Sequence, residues 1–290
     1  EVVSWTNEEG ARFEPAMMCS GVVAGAFERD YVYGRTDPDG LRFEDGLRRI
    51  GYLGDERDRP ATPFAYLELH VEQGPVLEDR GAPVGIVEGI TCISWLEVRV
   101  SGQPSHAGPT PMRLRHDALV AAARMIDAVD RLVREQGEPA AGTVGRLALE
   151  PNIINVIPGS VTFSVDLRHP DAKTLERMAE ALDEHCRAIA EASGVEVTID
   201  RFWTSEPASF DSQVVAAVSG AVEQLGYPPE RLWSGAGHDA KYVADFAPSG
   251  MIFVRSQGGL SHCPQEFSSP EDIEAGANVL LQTVLLLTDQ

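Results

Sequence analysis

Between residues 90 and 207 the hydrophobic period changes repeatedly, and the order of the changes restricts the fold more than any other feature of the chain. Leu96, Val98 and Val100 alternate with polar residues as in a half-buried strand, and residues 117–136 then carry apolar side chains at helical spacing. Further segments predict a strand, a second strand, a helix and a last strand, at residues 143–149, 161–167, 171–194 and 195–199. This order, strand, helix, strand, strand, helix, strand, is that of a ferredoxin-like α+β sandwich.

The remaining segments predict a different kind of domain. Residues 64–70 and 251–254 have the pattern of buried strands, whereas residues 214–225 and 273–287 have helical periodicity. Strands mixed with helices indicate an α/β domain with a mixed sheet flanked by helices. We therefore predict a catalytic domain formed by residues 1–90 and 208–290, interrupted by an inserted domain at residues 91–207.

The first residues of the chain predict a strand that begins without a cap or turn. Residues 2–5 are Val-Val-Ser-Trp and lead directly into a polar stretch. We expect the natural polypeptide to extend further toward the amino terminus, and the alternative is an edge strand at a true chain end.

Composition excludes several classes of protein. With 43% apolar residues among 290, the chain can bury a large core, and its net charge of −21 opposes nucleic-acid binding. No apolar run reaches the ~20 residues of a membrane span, and the first residues do not resemble a signal peptide, so we expect a cytoplasmic protein with no membrane partner. The four cysteines are scattered, which favours reduced thiols over disulfides or a cysteine-zinc site.

The histidines divide by their sequence neighbours. Three lie beside charged residues, where solvent exposure explains them: His116, His169 and His185. Four lie at predicted strand ends or in loops with Gly and Pro, positions from which functional groups are presented: His70, His106, His238 and His262.

Two of these histidines suggest part of a metal site. His70 and His262 each follow an apolar strand, and with one of the adjacent Glu8 and Glu9 they form a partial set of hydrolytic-metal ligands. One glutamate can bind a metal while its neighbour accepts a proton from water. His106, in a loop stiffened by Gly and Pro, can donate a hydrogen bond to a developing oxyanion. A polar turn at Glu8 and Glu9 and an ordinary rigid turn at His106 are the structural alternatives.

The residues of several motifs, spread over the whole chain, resemble those of one family. These are TNEEGARF at residues 6–13, LHVEQGP at 69–75, SHAGPTPM at 105–112, PNIINVIPG at 151–159, DLR at 166–168, SGAGHDA at 234–240 and GLSH at 259–262. They resemble the amidase, hydantoinase and carbamoylase branch of the M20 metallohydrolase family. The resemblance implies that Glu9, His70 and His262 are metal ligands in a two-metal centre of zinc, manganese, cobalt or nickel, and that Glu8 is the general base.

The same resemblance implies the substrate contacts. Gln73, Asn155, Arg168 and Gly237, the last in the stretch from Gly235, would hold a small ureido acid. The arginine would bind the substrate carboxylate through paired hydrogen bonds. His106 would polarise the scissile carbonyl from the neighbouring subunit of a homodimer joined through the inserted domain, which would also act as a lid.

The chain departs from the family pattern at its start. The family carries a histidine and a bridging aspartate before the glutamate pair, and this sequence begins after them. A truncated protein, a separate segment or an inactive homologue would each explain the difference. The leading hypothesis is hydrolysis of an N-carbamoyl-L-amino acid to the amino acid, carbon dioxide and ammonia. The alternatives are allantoate hydrolysis, a less favoured aminopeptidase or aminoacylase activity, and a non-catalytic dimerising or ligand-binding remnant.

Overall fold

The chain forms two compact units in a computed structural model that describes residues 1–55 and 61–289. The α/β unit comprises Glu1–Ile90 and Ala208–Gln290, and the inserted unit comprises Thr91–Pro207. Each unit has a hydrophobic core of its own.

The elements of the α/β unit come from both of its segments. Its helices are α1 (Met18–Ala24), α2 (Arg29–Tyr33), α3 (Phe43–Ile50), α4 (Val76–Asp79), α7 (Ser212–Gln224), α8 (Ala240–Val243) and α9 (Pro270–Thr288), with a 3-10 turn at Gln257–Gly259. Its strands are β1 (Tyr66–Val71), β2 (Val84–Ile90), β10 (Ala208–Ser209), β11 (Arg231–Ser234) and β12 (Ser249–Val254).

The inserted unit contains the remaining elements. Its helices are α5 (Ala118–Gln136) and α6 (Ala172–Ser193), with a 3-10 turn at Met112–Leu114. Its strands are β3 (Cys92–Ser101), β4 (Ser105–His106), β5 (Ala141–Thr143), β6 (Leu147–Glu150), β7 (Val156–Ile157), β8 (Ser160–His169) and β9 (Glu196–Ser205).

The sheet of the α/β unit is mixed, as predicted. Strand β12 pairs in parallel with β1 and antiparallel with β2, while β2 pairs in parallel with β11 and antiparallel with β10. All six residues of β12 are buried, because this strand lies inside the sheet between β1 and β2. Strand β1 ends at Val71, so Glu72 and Gln73 of the LHVEQGP motif lie just beyond the C-terminal end of this strand.

The sheet of the inserted unit has the predicted ferredoxin-like arrangement. Its strands follow the order β5, β8, β3, β9, with β6 also paired to β8, and all of these pairs are antiparallel. One face packs against α5 and α6 through a core that includes Val98, Met125, Phe163 and Leu182. Both helices begin as the sequence predicts, because Asp117 and Asp171 accept hydrogen bonds from backbone N–H groups of the first turn.

Two secondary-structure predictions were wrong. Residues 2–5 form no strand, and Val2 and Val3 are exposed; their β propensity has no effect because no strand of the described residues pairs with them. The single strand predicted at residues 143–149 is two short strands, β5 and β6, each paired with β8. Gly145 lies between them, at a point where glycine interrupts strand structure.

Within residues 1–55 and 61–289, no helix combines the length and the apolar character that crossing a membrane requires.

Candidate functional site

Strand β1 presents two potential ligands on one side of the sheet. Glu68 and His70 are two residues apart, and alternate residues of a strand point the same way. The Nδ1 atom of His70 lies 2.8 Å from the carbonyl oxygen of Val71. Since a carbonyl only accepts, Nδ1 carries the proton and Nε2 keeps its lone pair for a ligand.

His238 lies in the loop between β11 and α8 and is completely buried. Its Nε2 atom is 2.8 Å from the Ser234 hydroxyl, which in turn lies 2.9 Å from the carbonyl of Ala236. The serine hydrogen satisfies that carbonyl, so Nε2 of His238 donates to the serine oxygen and Nδ1 has the lone pair. This Nδ1 is buried and has no hydrogen-bond partner in the described structure.

These residues converge with Glu8 on one cluster. Glu8, Glu68, His70 and His238 each offer one ligand atom within 4.8 Å of the others. The Nδ1 atom of His238 is 4.0 Å from a carboxylate oxygen of Glu8 and 4.0 Å from one of Glu68. Two imidazoles and two carboxylates are a donor set that divalent zinc or manganese accepts.

Glu68 is held in place by its other oxygen. Its Oε2 atom accepts hydrogen bonds from the Tyr66 hydroxyl at 2.9 Å and from the backbone N–H of Ala240 at 2.7 Å. The Trp5 indole donates to the same tyrosine oxygen at 3.1 Å. Because Oε2 is fully engaged, Oε1 is the oxygen directed toward His238.

Burial gives the cluster unusual protonation properties. It raises the pKa of Glu8 to about 8, with further contributions from the negative charges of Glu9, Asp239 and Glu68. Burial also raises the pKa of Asp239 to about 7 and that of Glu68 above its ordinary value. Burial and the nearby His70 lower the pKa of His238 to about 3, so its imidazole is neutral, which is the form that binds metals. A cation in the cluster would offset the mutual repulsion of the carboxylates.

Glu9 and His262 form a second, more exposed group with Gln73. The Nε2 atom of His262 is 2.8 Å from a carboxylate oxygen of Glu9, and the Gln73 amide lies 3.4 Å from both residues. The backbone of His262 and of Gln73 is left-handed, with φ of 56° and 60°. The structure thus brings together three predicted site residues, although Glu9 and His262 lie outside the four-residue cluster that contains His70.

His106 and Asn155 are neighbours within the inserted unit. Strand β4 pairs His106 with Val156 of β7, and the N–H of Ala107 donates to the Asn155 carbonyl at 2.9 Å. The N–H of Gly108 donates to Nδ1 of His106 at 3.1 Å, which places the imidazole proton on Nε2. That nitrogen is a hydrogen-bond donor, as the predicted role requires.

Arg168 lies on the polar face of β8, as expected. Its Nε and one terminal nitrogen form paired hydrogen bonds with the Asp166 carboxylate at 2.9 and 2.7 Å. Gly237 is in close contact with another part of the α/β unit, since a Cβ atom there would come within 2.8 Å of the Met17 side chain. A larger residue at position 237 would displace Met17.

Two members of the cluster were not predicted from the sequence, and the exposure of one histidine was predicted wrongly. Glu68 and His238 were not predicted as ligands, although Glu68 shares the strand periodicity of His70 and His238 shares its loop setting. His169 was predicted to be exposed, but it is buried and its Nδ1 accepts from the N–H of Asp171 at 2.9 Å. Glu72 caps α4, with its oxygens 2.7 and 3.0 Å from the N–H groups of Val76 and Leu77.

Comparison with known proteins gives the family. The model of peptidase family M20/M25/M40 matches residues 1–286. The chain belongs to this family. The resemblance predicted from the motifs is therefore confirmed, as is the mixed α/β fold class.

Two relatives are named as amidohydrolases. The chain is 44% identical over 284 residues to the N-carbamoyl-L-amino-acid amidohydrolase of Rhizobium meliloti, covering 98% of the chain and 68% of that protein. It is 34% identical over 284 residues to the allantoate amidohydrolase of Escherichia coli (strain K12), covering 97% and 69%.

A solved structure is similar to this chain in both sequence and fold. The hydantoinase/carbamoylase family amidase of Burkholderia multivorans has 45% identity and a TM-score of 0.93, with 98% of this chain and 69% of that one covered.

Proposed function

We propose that this M20 family member is a divalent-metal-dependent amidohydrolase that removes the carbamoyl group of N-carbamoyl-L-amino acids, giving the amino acid, carbon dioxide and ammonia. The observation that carries the proposal is the cluster of Glu8, Glu68, His70 and His238 at the end of β1, with one buried imidazole nitrogen left unpaired. Identity of 44% to an N-carbamoyl-L-amino-acid amidohydrolase supports the choice of substrate.

The cluster fits a divalent cation by its chemistry. Glu68 and His70 already have one side-chain atom fixed by hydrogen bonds, so the atoms left for a cation are oriented without reorganisation. A bound cation supplies Lewis acidity toward the ureido carbonyl, which is a poor electrophile.

Two ligand assignments compete, and they share His70. The geometry favours Glu8, Glu68, His70 and His238, whereas the family motifs predict a two-ion centre with Glu9, His70 and His262 as ligands and Glu8 as general base. The variants Glu68→Gln and Glu9→Gln separate them. Loss of metal binding in the first alone supports the geometric assignment, and loss in the second alone supports the motif assignment.

The substrate contacts rest on the family motifs together with the local geometry. Arg168 would bind the carboxylate, and Gln73, Asn155 and backbone at Gly237 would orient the ureido group. The Nε2–H of His106 would stabilise the oxyanion. We further propose that His106 acts across a homodimer formed through residues 91–207, and that the protein is cytoplasmic.

The test combines turnover with metal content. Purified protein is analysed for bound zinc, manganese, cobalt and nickel, and ammonia release is measured with N-carbamoyl-L-amino acids and with allantoate. Metal-dependent release from the N-carbamoyl substrates is the expected result. Faster release from allantoate would favour the second candidate substrate, which the identity to the Escherichia coli enzyme supports. Neither metal binding nor ammonia release would identify a non-catalytic remnant.

A further inference from the structure

Two tryptophans stand side by side on the outer face of the inserted unit's sheet, opposite α5 and α6. Trp95 of β3 is 38% exposed and Trp203 of β9 is 41% exposed. They are paired across the two strands, with ring centroids 4.6 Å apart and planes inclined at 43°. The core of the unit lies on the other side of the sheet, so packing in the interior does not account for these rings.

A chain of hydrogen bonds connects the aromatic pair to Arg168. The Trp95 indole donates to Asp166 at 2.9 Å, and the same carboxylate accepts the paired hydrogen bonds of Arg168. Trp95 lies directly opposite Asp166 in the register of β3 and β8, and Arg168 lies opposite Ile93, two residues away. The orientation of Trp95 and that of Arg168 are therefore fixed by one carboxylate.

The exposed ring of Phe202 lies 6.1 Å from that of Trp95 and extends the apolar surface that the tryptophan pair forms. Polar positions of β3 and β8 border it, namely Glu97, Arg99, Thr162 and Ser164. The Trp95 indole nitrogen and a terminal nitrogen of Arg168 lie 2.9 and 2.7 Å from the same Asp166 oxygen, so the ring and the guanidinium are close neighbours. A molecule whose carboxylate binds this arginine can therefore place an aromatic or long apolar side chain against the rings.

We propose that Trp95 and Trp203 form the subsite for the side chain of the substrate, and that the preferred substrates are N-carbamoyl amino acids with aromatic or long apolar side chains. The inference rests on the proposed function, which gives Arg168 the carboxylate. Asp166 is a positioning residue that orients both the indole and the guanidinium. Glycine derivatives have no side chain to contact the rings and lose this contribution.

The test compares kcat/KM for N-carbamoyl-L-phenylalanine and N-carbamoylglycine. One apolar contact discriminates substrates by roughly 10–200-fold, so the wild-type ratio should exceed about tenfold, and Trp95→Ala and Trp203→Ala should each reduce that ratio about tenfold. Trp95→Phe keeps a ring without the indole donor and should retain most of the preference. Tyr31→Ala removes an exposed ring from the α/β unit and should leave the ratio unchanged.

The outcomes separate this inference from the proposed function. An unchanged ratio in both alanine variants, with ammonia still released, overturns the subsite and leaves the proposed function intact. If neither the wild type nor any variant releases ammonia, the proposed function fails. The subsite is then tested by the quenching of tryptophan fluorescence when each of the two N-carbamoyl compounds is added. Tighter binding of the phenylalanine derivative that is lost in Trp95→Ala supports the subsite, and equal binding of both compounds overturns it. A change of oligomeric state in Trp95→Ala, with the ratio unchanged, would instead assign the surface to contact between copies.

Discussion

Replacing Glu68 by glutamine should separate the stability of the fold from its ability to bind a metal. The two side chains have nearly the same shape, and the glutamine oxygen can accept the hydrogen bonds now donated by Tyr66 and Ala240. The amide nitrogen then faces the unpaired Nδ1 of His238, 4.0 Å from the present oxygen, and can donate to it after a small shift. The variant therefore satisfies a buried acceptor while it removes an anionic ligand.

The difference in free energy of unfolding between the variant and the wild type should change sign when metal is added. Satisfying a buried acceptor contributes about 1 kcal/mol, so without metal the variant should be as stable as the wild type or about 1 kcal/mol more stable. At a cation concentration 100 times the dissociation constant, the wild type gains about 2.7 kcal/mol. If loss of the ligand weakens binding roughly 100-fold, the upper end of the range for outer-shell changes, the variant gains only about 0.4 kcal/mol at that concentration.

The assay is denaturant unfolding of both proteins after chelation, and again with manganese or zinc added. Glu72→Gln is the matched control, because Glu72 lies on the same segment but caps α4. That control should lose stability in both conditions and keep the full response to metal. Equal metal stabilisation of Glu68→Gln and wild type would refute the assignment of Glu68 as a ligand, and a large loss of stability without metal would refute the account of the unpaired nitrogen.

Three other predictions concern separate parts of the molecule. His106→Ala should lower kcat about 100-fold with little effect on KM, because an oxyanion donor acts in the transition state; unchanged steady-state kinetics would remove His106 from the reaction. Phe163→Ala should lower the free energy of unfolding by about 3–5 kcal/mol in denaturant titrations, since the ring is fully buried between sheet and helices, and a loss below 1 kcal/mol would contradict that packing. Burial raises the pKa of Cys186 to about 12, so its thiol should resist iodoacetamide at pH 8 in the native protein and react after denaturation, and mass spectrometry would reveal any rapid native labelling.

Periodicity predicted the fold well where one face of an element is buried. Strand β8 alternates buried and half-buried residues from end to end, and the helices that follow Asp117 and Asp171 begin where the sequence pattern predicts. The prediction failed at residues 2–5, where β propensity was the only signal and no partner strand is present in the described structure. A strand depends on its neighbours, which a local pattern does not contain.

The candidate site was harder to predict because its residues meet only through the fold. The motifs named Glu8 and His70, but Glu68 and His238 become candidates only when β1 and the loop before α8 are placed together. A motif can also suggest a ligand where there is none. Glu72 lies within the LHVEQGP motif, but its carboxylate accepts hydrogen bonds from the N–H groups at the start of α4. Charge and sequence position cannot distinguish a cap from a ligand, and the hydrogen-bond partners can.

The pairing of Ile90 with Ala208 has a consequence for protein engineering. These residues are the points where the chain leaves and re-enters the α/β unit, and they are antiparallel partners in one sheet. Adjacent antiparallel strands can be joined by a two-residue turn, so Thr91–Pro207 could be excised and replaced by Asn-Gly without stretching the backbone. The excised segment would likewise begin and end on neighbouring strands, with Ile93 paired to Ser205. Each cut would thus join or expose chain ends that are already neighbours, so we expect each unit to be suitable for expression without the other.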